Sequence, residues 1–77
     1  MPTAHEKVLE SIANDDSGYL LNDYEDAAVR FEKRNGENVW FLKLRGREEF
    51  QVQYSHRLVF EATQEAVTLT KAEYDAF

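Results

Sequence analysis

Residues 28–44 read AVRFEKRNGENVWFLKL, and this stretch decides the fold. Apolar and polar residues alternate on both sides of Asn35-Gly36, which is the period of a β-strand. An Asn-Gly pair is a strong hairpin signal, because both central residues of a type I′ turn need positive φ angles. The sequence therefore predicts two antiparallel strands, residues 28–34 and 39–44, joined by a two-residue turn.

The register of this hairpin follows from the side chains that would face one another. The predicted pairs are Arg34 with Glu37, Phe31 with Trp40, and Val29 with Leu42. Large apolar side chains then meet on one face, and opposite charges meet beside the turn. A slip of one residue would move every side chain to the other face, so the pattern specifies the register strongly.

The alternation continues beyond Gly46, which marks the next turn. A three-residue loop at 45–47 or 46–48 keeps residues 50, 52 and 54 on the face of Trp40. Residues 55–57 would then lead into a fourth strand over residues 58–62. The predicted core face consists of Val29, Phe31, Trp40, Leu42, Leu44, Phe50, Val52, Tyr54, Leu58 and Phe60.

A first helix is predicted over residues 3–13. Thr3 and Glu6 have the spacing of a capping box, and a breaker cluster begins at residue 14. The apolar residues form one stripe on a period of 3.6. They are Ala4, Val8, Leu9, Ile12 and Ala13. We expect Val8, Leu9 and Ile12 to cover the sheet face that contains Trp40.

A short second helix is predicted over residues 71–77. Thr70 and Glu73 have the spacing of a second capping box, and Leu69 and Tyr74 are placed to form a hydrophobic staple across it. A helix of this length is not stable alone in water, so it depends on docking of its aromatic side chains.

These elements predict an α+β fold in one domain, residues 1–77. It has an N-terminal amphipathic helix, an antiparallel meander of four strands and a short C-terminal helix. Two segments leave alternatives open. In residues 67–69, apolar and polar side chains alternate, so this segment would add a fifth strand. Residues 19–21 form either a brief strand or a tethering contact.

Charge is distributed unevenly along the chain. Nine Lys and Arg stand against fifteen Asp and Glu, for a formal net charge of −6. Residues 1–29 contain one Lys and seven acids, residues 30–57 seven cations and four acids, and residues 58–77 one Lys and four acids. Either the basic middle pairs with the acidic flanks, or it forms a basic surface that meets an acidic partner.

No catalytic or metal-binding pattern is recognisable. There is no cysteine, which excludes disulfides and thiol chemistry. A calcium loop with Gly18 at its sixth position would begin at Ala13, which cannot bind the ion. His5 and His56 are predicted to be exposed, and each glycine is explained by a turn. We therefore expect no enzymatic activity, no cofactor and no metal.

The longest apolar run, residues 39–42, is too short to cross a bilayer. No membrane segment or signal peptide is predicted, and we expect a cytoplasmic protein.

The outer face of the sheet, opposite the predicted core, is the candidate functional surface. Successive side chains of a strand point to opposite faces of the sheet. The outer face is therefore predicted to contain Arg30, Glu32, Val39, Phe41, Lys43, Gln51, Gln53, Val59 and Glu61. Either a helix or residues 19–21 cover its apolar members, or these are scattered residues that a surface tolerates. The alternative is a contact surface with an aromatic centre and a cationic rim. Its predicted residues are Val39, Phe41, Val59, Arg30 and Lys43.

Two functions fit this surface. The first is a non-enzymatic module that binds a protein partner or itself, a homodimer being the simplest arrangement. The second is nucleic-acid binding by the basic residues of the segment 30–57, which an acidic domain makes the weaker alternative. These residues are Arg30, Lys33, Arg34, Lys43, Arg45, Arg47 and Arg57. We expect Phe41 to matter more for binding than any single cation.

Overall fold

The Asn-Gly hairpin at the centre of the sheet has the register that its sequence predicts. In the computed structural model, which describes residues 3–77, this turn joins two strands of eight residues each. The observed pairs include Arg34 with Glu37, Phe31 with Trp40, and Val29 with Leu42. Asn35 and Gly36 have φ angles of 53° and 80°, as a type I′ turn requires.

Residues 3–77 form three helices and one sheet of five antiparallel strands. The elements are α1 (Ala4–Asn14), β1 (Ser17–Asn22), β2 (Ala27–Arg34), β3 (Glu37–Leu44), β4 (Phe50–Val52), α2 (Arg57–Glu65), β5 (Val67–Thr68) and α3 (Lys71–Asp75). The strand order in the sheet is β4-β3-β2-β1-β5. The predicted α+β class is confirmed, with a helix before the antiparallel sheet and a short C-terminal helix.

Strand β4 is the next strand of the meander, and its register with β3 is one of the two that the sequence predicts. Val52 lies opposite Trp40, and Phe50 lies opposite Leu42, which is the register of the loop centred on Gly46. Yet Phe50 and Tyr54 are 47% and 45% exposed. Their assignment to the core is wrong, because β4 is a three-residue edge strand and the helices pack chiefly over β1, β2 and β3.

The predicted fourth strand at residues 58–62 is wrong, since these residues lie in α2. Its buried residues are Val59, Ala62 and Thr63, which follow a helical period rather than a period of two. The His56 side chain caps the first turn, and Ala66 ends the helix with a left-handed φ of 58°. The helix reverses the expected orientations: Val59 is fully buried, and Phe60 is 52% exposed.

The fourth strand of the meander is β1, which contains the ambiguous residues 19–21. It pairs with β2 along its whole length, so that Leu20 lies opposite Val29. Leu20 and Leu21 also pair with β5, the predicted fifth strand, which comprises Val67 and Thr68. Strand β1 lacks a clear alternation because apolar clusters lie on both of its faces.

Helices pack on both faces of the sheet. We call the face that contains Trp40 the inner face and the opposite face the outer face. The inner core is formed by Val8, Leu20, Ala27, Val29, Phe31, Trp40, Leu42, Val59 and Ala62. Trp40 is buried as expected and Ile12 packs against this cluster, whereas Leu9 is 42% exposed and does not belong to it.

The short helix α3 packs on the outer face. Ala28, Tyr74 and Phe77 form a second buried cluster, to which Tyr19, Leu21 and Leu69 contribute. The Thr70 hydroxyl accepts a hydrogen bond from the Glu73 N–H, and the Glu73 carboxylate accepts one from the Thr70 N–H. This complete capping box confirms the predicted start of the helix, which ends at Asp75 rather than at residue 77. At the other end of the chain, the Thr3 hydroxyl caps α1 in the same way by accepting from the Glu6 N–H.

Gly18 lies within β1 and not in a turn, contrary to the sequence interpretation. It is the cross-strand neighbour of Phe31. A Cβ atom at this position would lie 2.5 Å from Cε1 of the Phe31 ring, closer than side chains can approach. The glycine is therefore required by the close approach of this ring and not by a backbone angle.

Candidate functional site

The predicted aromatic centre of the outer face is covered by arginine. Phe41 lies opposite Arg30 in the hairpin, and the Arg30 guanidinium carbon lies 4.0 Å from the centre of the ring. The guanidinium of Arg34 lies 5.6 Å from the same ring. Only 9% of Phe41 remains exposed, so it offers little surface to a partner.

Arg30 is itself held by two carboxylates. It donates two hydrogen bonds to Glu49, of 3.0 and 2.7 Å, and one of 3.1 Å to Glu32. Bidentate pairing of this kind fixes the plane of the guanidinium. The hydrogen bonds to Glu49 and Glu32 raise the pKa of Arg30 further above its ordinary value. The same pairing with Arg30, together with a hydrogen bond from Tyr74, lowers the pKa of Glu49.

Lys43 holds the end of α3 against the sheet. Its Nζ donates hydrogen bonds of 2.9 Å to the backbone carbonyls of Tyr74 and Asp75. A cation at the last carbonyls of a helix is electrostatically favourable. The Tyr74 hydroxyl donates a 2.8 Å hydrogen bond to Glu49. Burial and this hydrogen bond raise the pKa of Tyr74.

A polar cleft of about 350 Å³ remains between α3 and the sheet. It is lined by Tyr19, Arg30, Lys43, Glu49, Lys71, Tyr74 and Asp75. Its charged side chains bind one another or backbone carbonyls, and Lys71 completes the set with a 2.7 Å ion pair to Asp75. These groups hold α3 and the loop at 45–49 on the sheet.

The five predicted site residues therefore do not form one surface. Arg30, Phe41, Lys43 and the half-buried Val39 lie on the outer face, as expected from their parity. Val59 lies in α2 on the inner face, where it is fully buried. The sequence left open whether a helix covers the apolar residues of the outer face. The helix α3 does cover the cluster around Ala28.

The basic residues of the segment 30–57 are paired with groups of the same chain. Their partners are Glu32 and Glu49 for Arg30, the Ala13 carbonyl for Lys33, Glu32 for Arg34, the α3 carbonyls for Lys43, Asp26 for Arg45, and Glu25 and Glu61 for Arg57. In the part of the chain that the structure describes, Arg47 alone of this set has a side chain without a hydrogen-bonded or ionic partner, and only its backbone N–H donates, to the Leu44 carbonyl. The first interpretation of the charge pattern, in which the basic middle pairs with the acidic flanks, therefore holds only for Arg45 and Arg57. Arg30 and Arg34 pair with Glu32 and Glu49, which lie in the basic segment itself.

Both histidines are half-buried and hydrogen-bonded, rather than exposed as predicted. Nδ1 of His5 lies 2.8 Å from the Thr63 carbonyl oxygen and links α1 to α2. Nδ1 of His56 accepts a hydrogen bond from the Leu58 N–H at the start of α2. Each histidine therefore contributes to the position of α2.

A second cavity, which we call the α2 groove, lies between α2 and the turn that joins β1 to β2. Its volume is about 370 Å³, and it is lined by Tyr24, Phe60, Glu61, Gln64 and Glu65. Tyr24 is 86% exposed, the largest value among the exposed large apolar side chains, and Phe60 is 52% exposed. Two open aromatic side chains thus flank one cavity in a surface otherwise rich in charge.

The two walls of this groove are joined by a buried asparagine. Asn22, which is fully buried, donates hydrogen bonds to the Leu58 carbonyl at 3.1 Å and to Glu61 at 3.3 Å. Its side-chain oxygen accepts a 3.0 Å hydrogen bond from the Glu25 N–H. Asn22 therefore connects the first turns of α2 with the loop that carries Tyr24.

Further polar contacts fix the same turn. The Asp23 N–H donates a 3.1 Å hydrogen bond to Glu65, and Arg57 forms a 3.1 Å ion pair with Glu25. Asp26 ends the turn with a φ of 51°, a left-handed conformation that aspartate tolerates better than most residues. The groove is therefore preorganised, and this lowers the conformational entropy that is lost when a partner binds.

Sequence reasoning missed Tyr24 and Phe60. The alternating pattern predicts Phe60 in the core of a strand, whereas in the helix it lies at the edge of the buried face formed by Val59, Ala62 and Thr63 and is 52% exposed. The polar positions 57, 61 and 64 share its face at helical spacing, and this is the signal that could have identified it. Nothing local to Tyr24 indicates a site, because its neighbour across the groove is far away in the sequence.

No protein-family model, curated protein or solved structure matches this chain. Within residues 3–77, no three His, Asp or Glu side chains are grouped so that they could hold a metal ion. None of the helices described there has both the length and the apolar character needed to cross a bilayer.

Proposed function

We propose that this protein is a non-enzymatic protein-binding module whose contact surface is the α2 groove. The observation that carries the proposal is the pair of open aromatic side chains, Tyr24 and Phe60, on either side of one cavity. Aromatic residues that are large, rigid and exposed are typical centres of protein interfaces. The cytoplasm is the proposed compartment, which the absence of cysteine supports.

The contact surface proposed here differs from the one that the sequence favours. On the outer face, binding at Phe41 would first require the removal of Arg30 from the ring and from Glu49. At the α2 groove, the aromatic surface is already open, and the polar groups beneath it are already paired. Binding there therefore displaces water without breaking an internal ion pair.

Nucleic-acid binding is the less favoured function. The cations that would contact phosphates are engaged with carboxylates and carbonyls of the chain. The exposed aromatics that could stack with bases lie beside Glu61 and Glu65 in the groove, and these carboxylates repel phosphate.

Site-specific crosslinking tests the proposal. A photoreactive benzoylphenylalanine placed at position 64, inside the groove, is exposed to native lysate and irradiated, and the same residue at position 48 serves as the control position. We expect a discrete protein adduct from position 64 alone, and we expect Phe60→Ser to abolish it.

The matched control for this variant is Phe50→Ser, because Phe50 has a similar exposure of 47% but lies on β4. An adduct that survives Phe60→Ser, or that disappears equally with Phe50→Ser, would contradict the proposed surface. The absence of any adduct from position 64 would contradict it as well.

A further inference from the structure

We infer that the partner of the α2 groove is a cationic segment of another protein that inserts one large apolar side chain between Tyr24 and Phe60. This inference rests on the proposed function and adds the chemistry of the partner. Three observations carry it: the charge around the groove, the size of the cavity and the nature of the two rings.

Carboxylates surround the groove. Glu61 and Glu65 line it, and Glu25 in the adjoining turn shares the cation Arg57 with Glu61. Arg57 is shared between Glu25 and Glu61, at 3.1 and 3.0 Å. Three negative charges and one positive charge leave the surroundings of the groove with an excess of two negative charges. Lysine or arginine side chains of a partner would complement that excess.

The volume of the groove is small. A cavity of about 370 Å³ between a helix and a tight turn accommodates a single large anchor such as leucine, methionine or phenylalanine. A partner that buries this one side chain would contact the carboxylates with the residues on either side of it. The complementary sequence is therefore one large apolar residue flanked by basic residues.

The two rings favour the same partner chemistry. The face of an aromatic ring carries partial negative charge, so it attracts a cation. Arg30 and Arg34 occupy this position over Phe41, as Arg45 does at 4.1 Å from the Phe77 ring. Among the described residues, no cation lies over Tyr24 or Phe60, so a partner would supply it.

A second copy of the chain is the poorer occupant. A two-fold dimer would place the groove of one copy against the groove of the other. Both carry an excess of negative charge, and apposed like charges oppose association. The partner is therefore expected to be a different protein.

Synthetic peptides test the inference. The probe is a fluorescein-labelled peptide with a single central leucine and lysines on either side of it, which we call the leucine-lysine peptide. Two controls accompany it, one with glutamate replacing lysine and one with serine replacing leucine. Fluorescence anisotropy then measures the affinity of the intact protein for each peptide.

We expect only the leucine-lysine peptide to bind. Glu61→Gln/Glu65→Gln should weaken binding about tenfold, because glutamine keeps the oxygens that accept from Asn22 and Asp23 but removes two charges. Glu37→Gln/Glu48→Gln removes the same charge elsewhere and should change the affinity less than about twofold. Phe60→Ser should weaken binding at least tenfold.

The outcomes separate the inference from the proposed function. Failure of the leucine-lysine peptide to bind, equal binding of the leucine-glutamate peptide, or no effect of the glutamine pair overturns the cationic partner. Equal binding of the serine-lysine peptide overturns the apolar anchor. Self-association that Phe60→Ser abolishes, measured by sedimentation of the protein alone, overturns the inference in favour of a second copy. The proposed function fails separately, if the crosslinked adduct does not depend on Phe60.

Discussion

The outer sheet face and the α2 groove each place a phenylalanine among charged side chains, with opposite results. Phe41 is 9% exposed and Phe60 is 52% exposed. The charges beside Phe41 are guanidinium groups, which are attracted to the face of the ring and cover it. The charged residues that line the groove beside Phe60 are carboxylates, which do not favour that face. The nearby cation Arg57 is paired with Glu25 and Glu61. The two rings thus differ in that guanidinium groups lie over Phe41, whereas among the described residues none lies over Phe60.

The largest expected effect is a difference in stability between the two phenylalanines. Phe41→Ala should lower the free energy of unfolding by about 3 kcal/mol, because it removes a buried ring. Phe60→Ala should change it by less than about 1 kcal/mol, because the ring is largely in water and alanine favours the helix. Urea unfolding of both variants measures the difference. Equal losses would show that the two rings are equally buried in solution, and the comparison would fail.

A smaller effect on stability is expected from removing the hydrogen bonds that join the two walls of the groove. Asn22→Leu removes three hydrogen bonds of a fully buried side chain and should cost about 1–3 kcal/mol of unfolding free energy. It should also weaken binding of the leucine-lysine peptide, because the turn that carries Tyr24 loses its attachment to α2.

Asn38→Leu provides the control for this change. Asn38 makes one hydrogen bond, to the Ile12 carbonyl, while its own oxygen is buried without a partner in residues 3–77. Asn38→Leu should lower the free energy of unfolding by less than Asn22→Leu does, and it should leave peptide binding unchanged. If Asn22→Leu binds the peptide as the wild type does, Asn22 does not position the groove.

The smallest effect concerns the dependence of stability on pH at the outer face. The hydrogen bonds from Arg30 and Tyr74 hold the pKa of Glu49 below its ordinary value of 4.5 in the folded state. Ionised Glu49 therefore stabilises the fold at neutral pH. This contribution is fully present above about pH 4.5 and is lost as the pH falls through the lower, folded value.

Chemical unfolding of the wild type and of Glu49→Gln between about pH 6 and pH 3 measures this contribution. We expect a shallower loss of stability on acidification in the variant, and an intermediate slope in Tyr74→Phe, which removes one of the two donors. A Glu49→Gln profile parallel to that of the wild type would show that the pair with Arg30 does not stabilise the fold.

The parts of the molecule that the sequence predicts well are those determined by nearby residues. The hairpin register depends on the turn residues Asn35 and Gly36 and on the alternation beside them. The capping box of Thr70 and Glu73 spans only three residues. In both cases, the interacting groups lie within one short stretch of the chain.

The helix α2 could not be read in the same way. Residues 58, 60 and 62 fit a strand, whereas the buried set 59, 62 and 63 fits a helix. The helical spacing of the polar positions 57, 61 and 64 is a weak local signal, which competes with the alternation. Tertiary packing decides, because the segment covers the inner face of β1, β2 and β3 as a helix. The α2 groove depends on this tertiary packing, since Phe60 lines the same cavity as Tyr24 from the surface of the helix.

The close approach of Gly18 to Phe31 has a consequence for how this sequence can change over time. No side chain fits at position 18 while the ring at position 31 stays in place, since a Cβ would lie 2.5 Å from it. A smaller residue at 31 would leave space for alanine at 18, although it would also loosen the inner core. The two positions therefore form a coupled pair: mutation at 18 is tolerated only after mutation at 31, and related sequences should contain a large ring together with glycine or lack both.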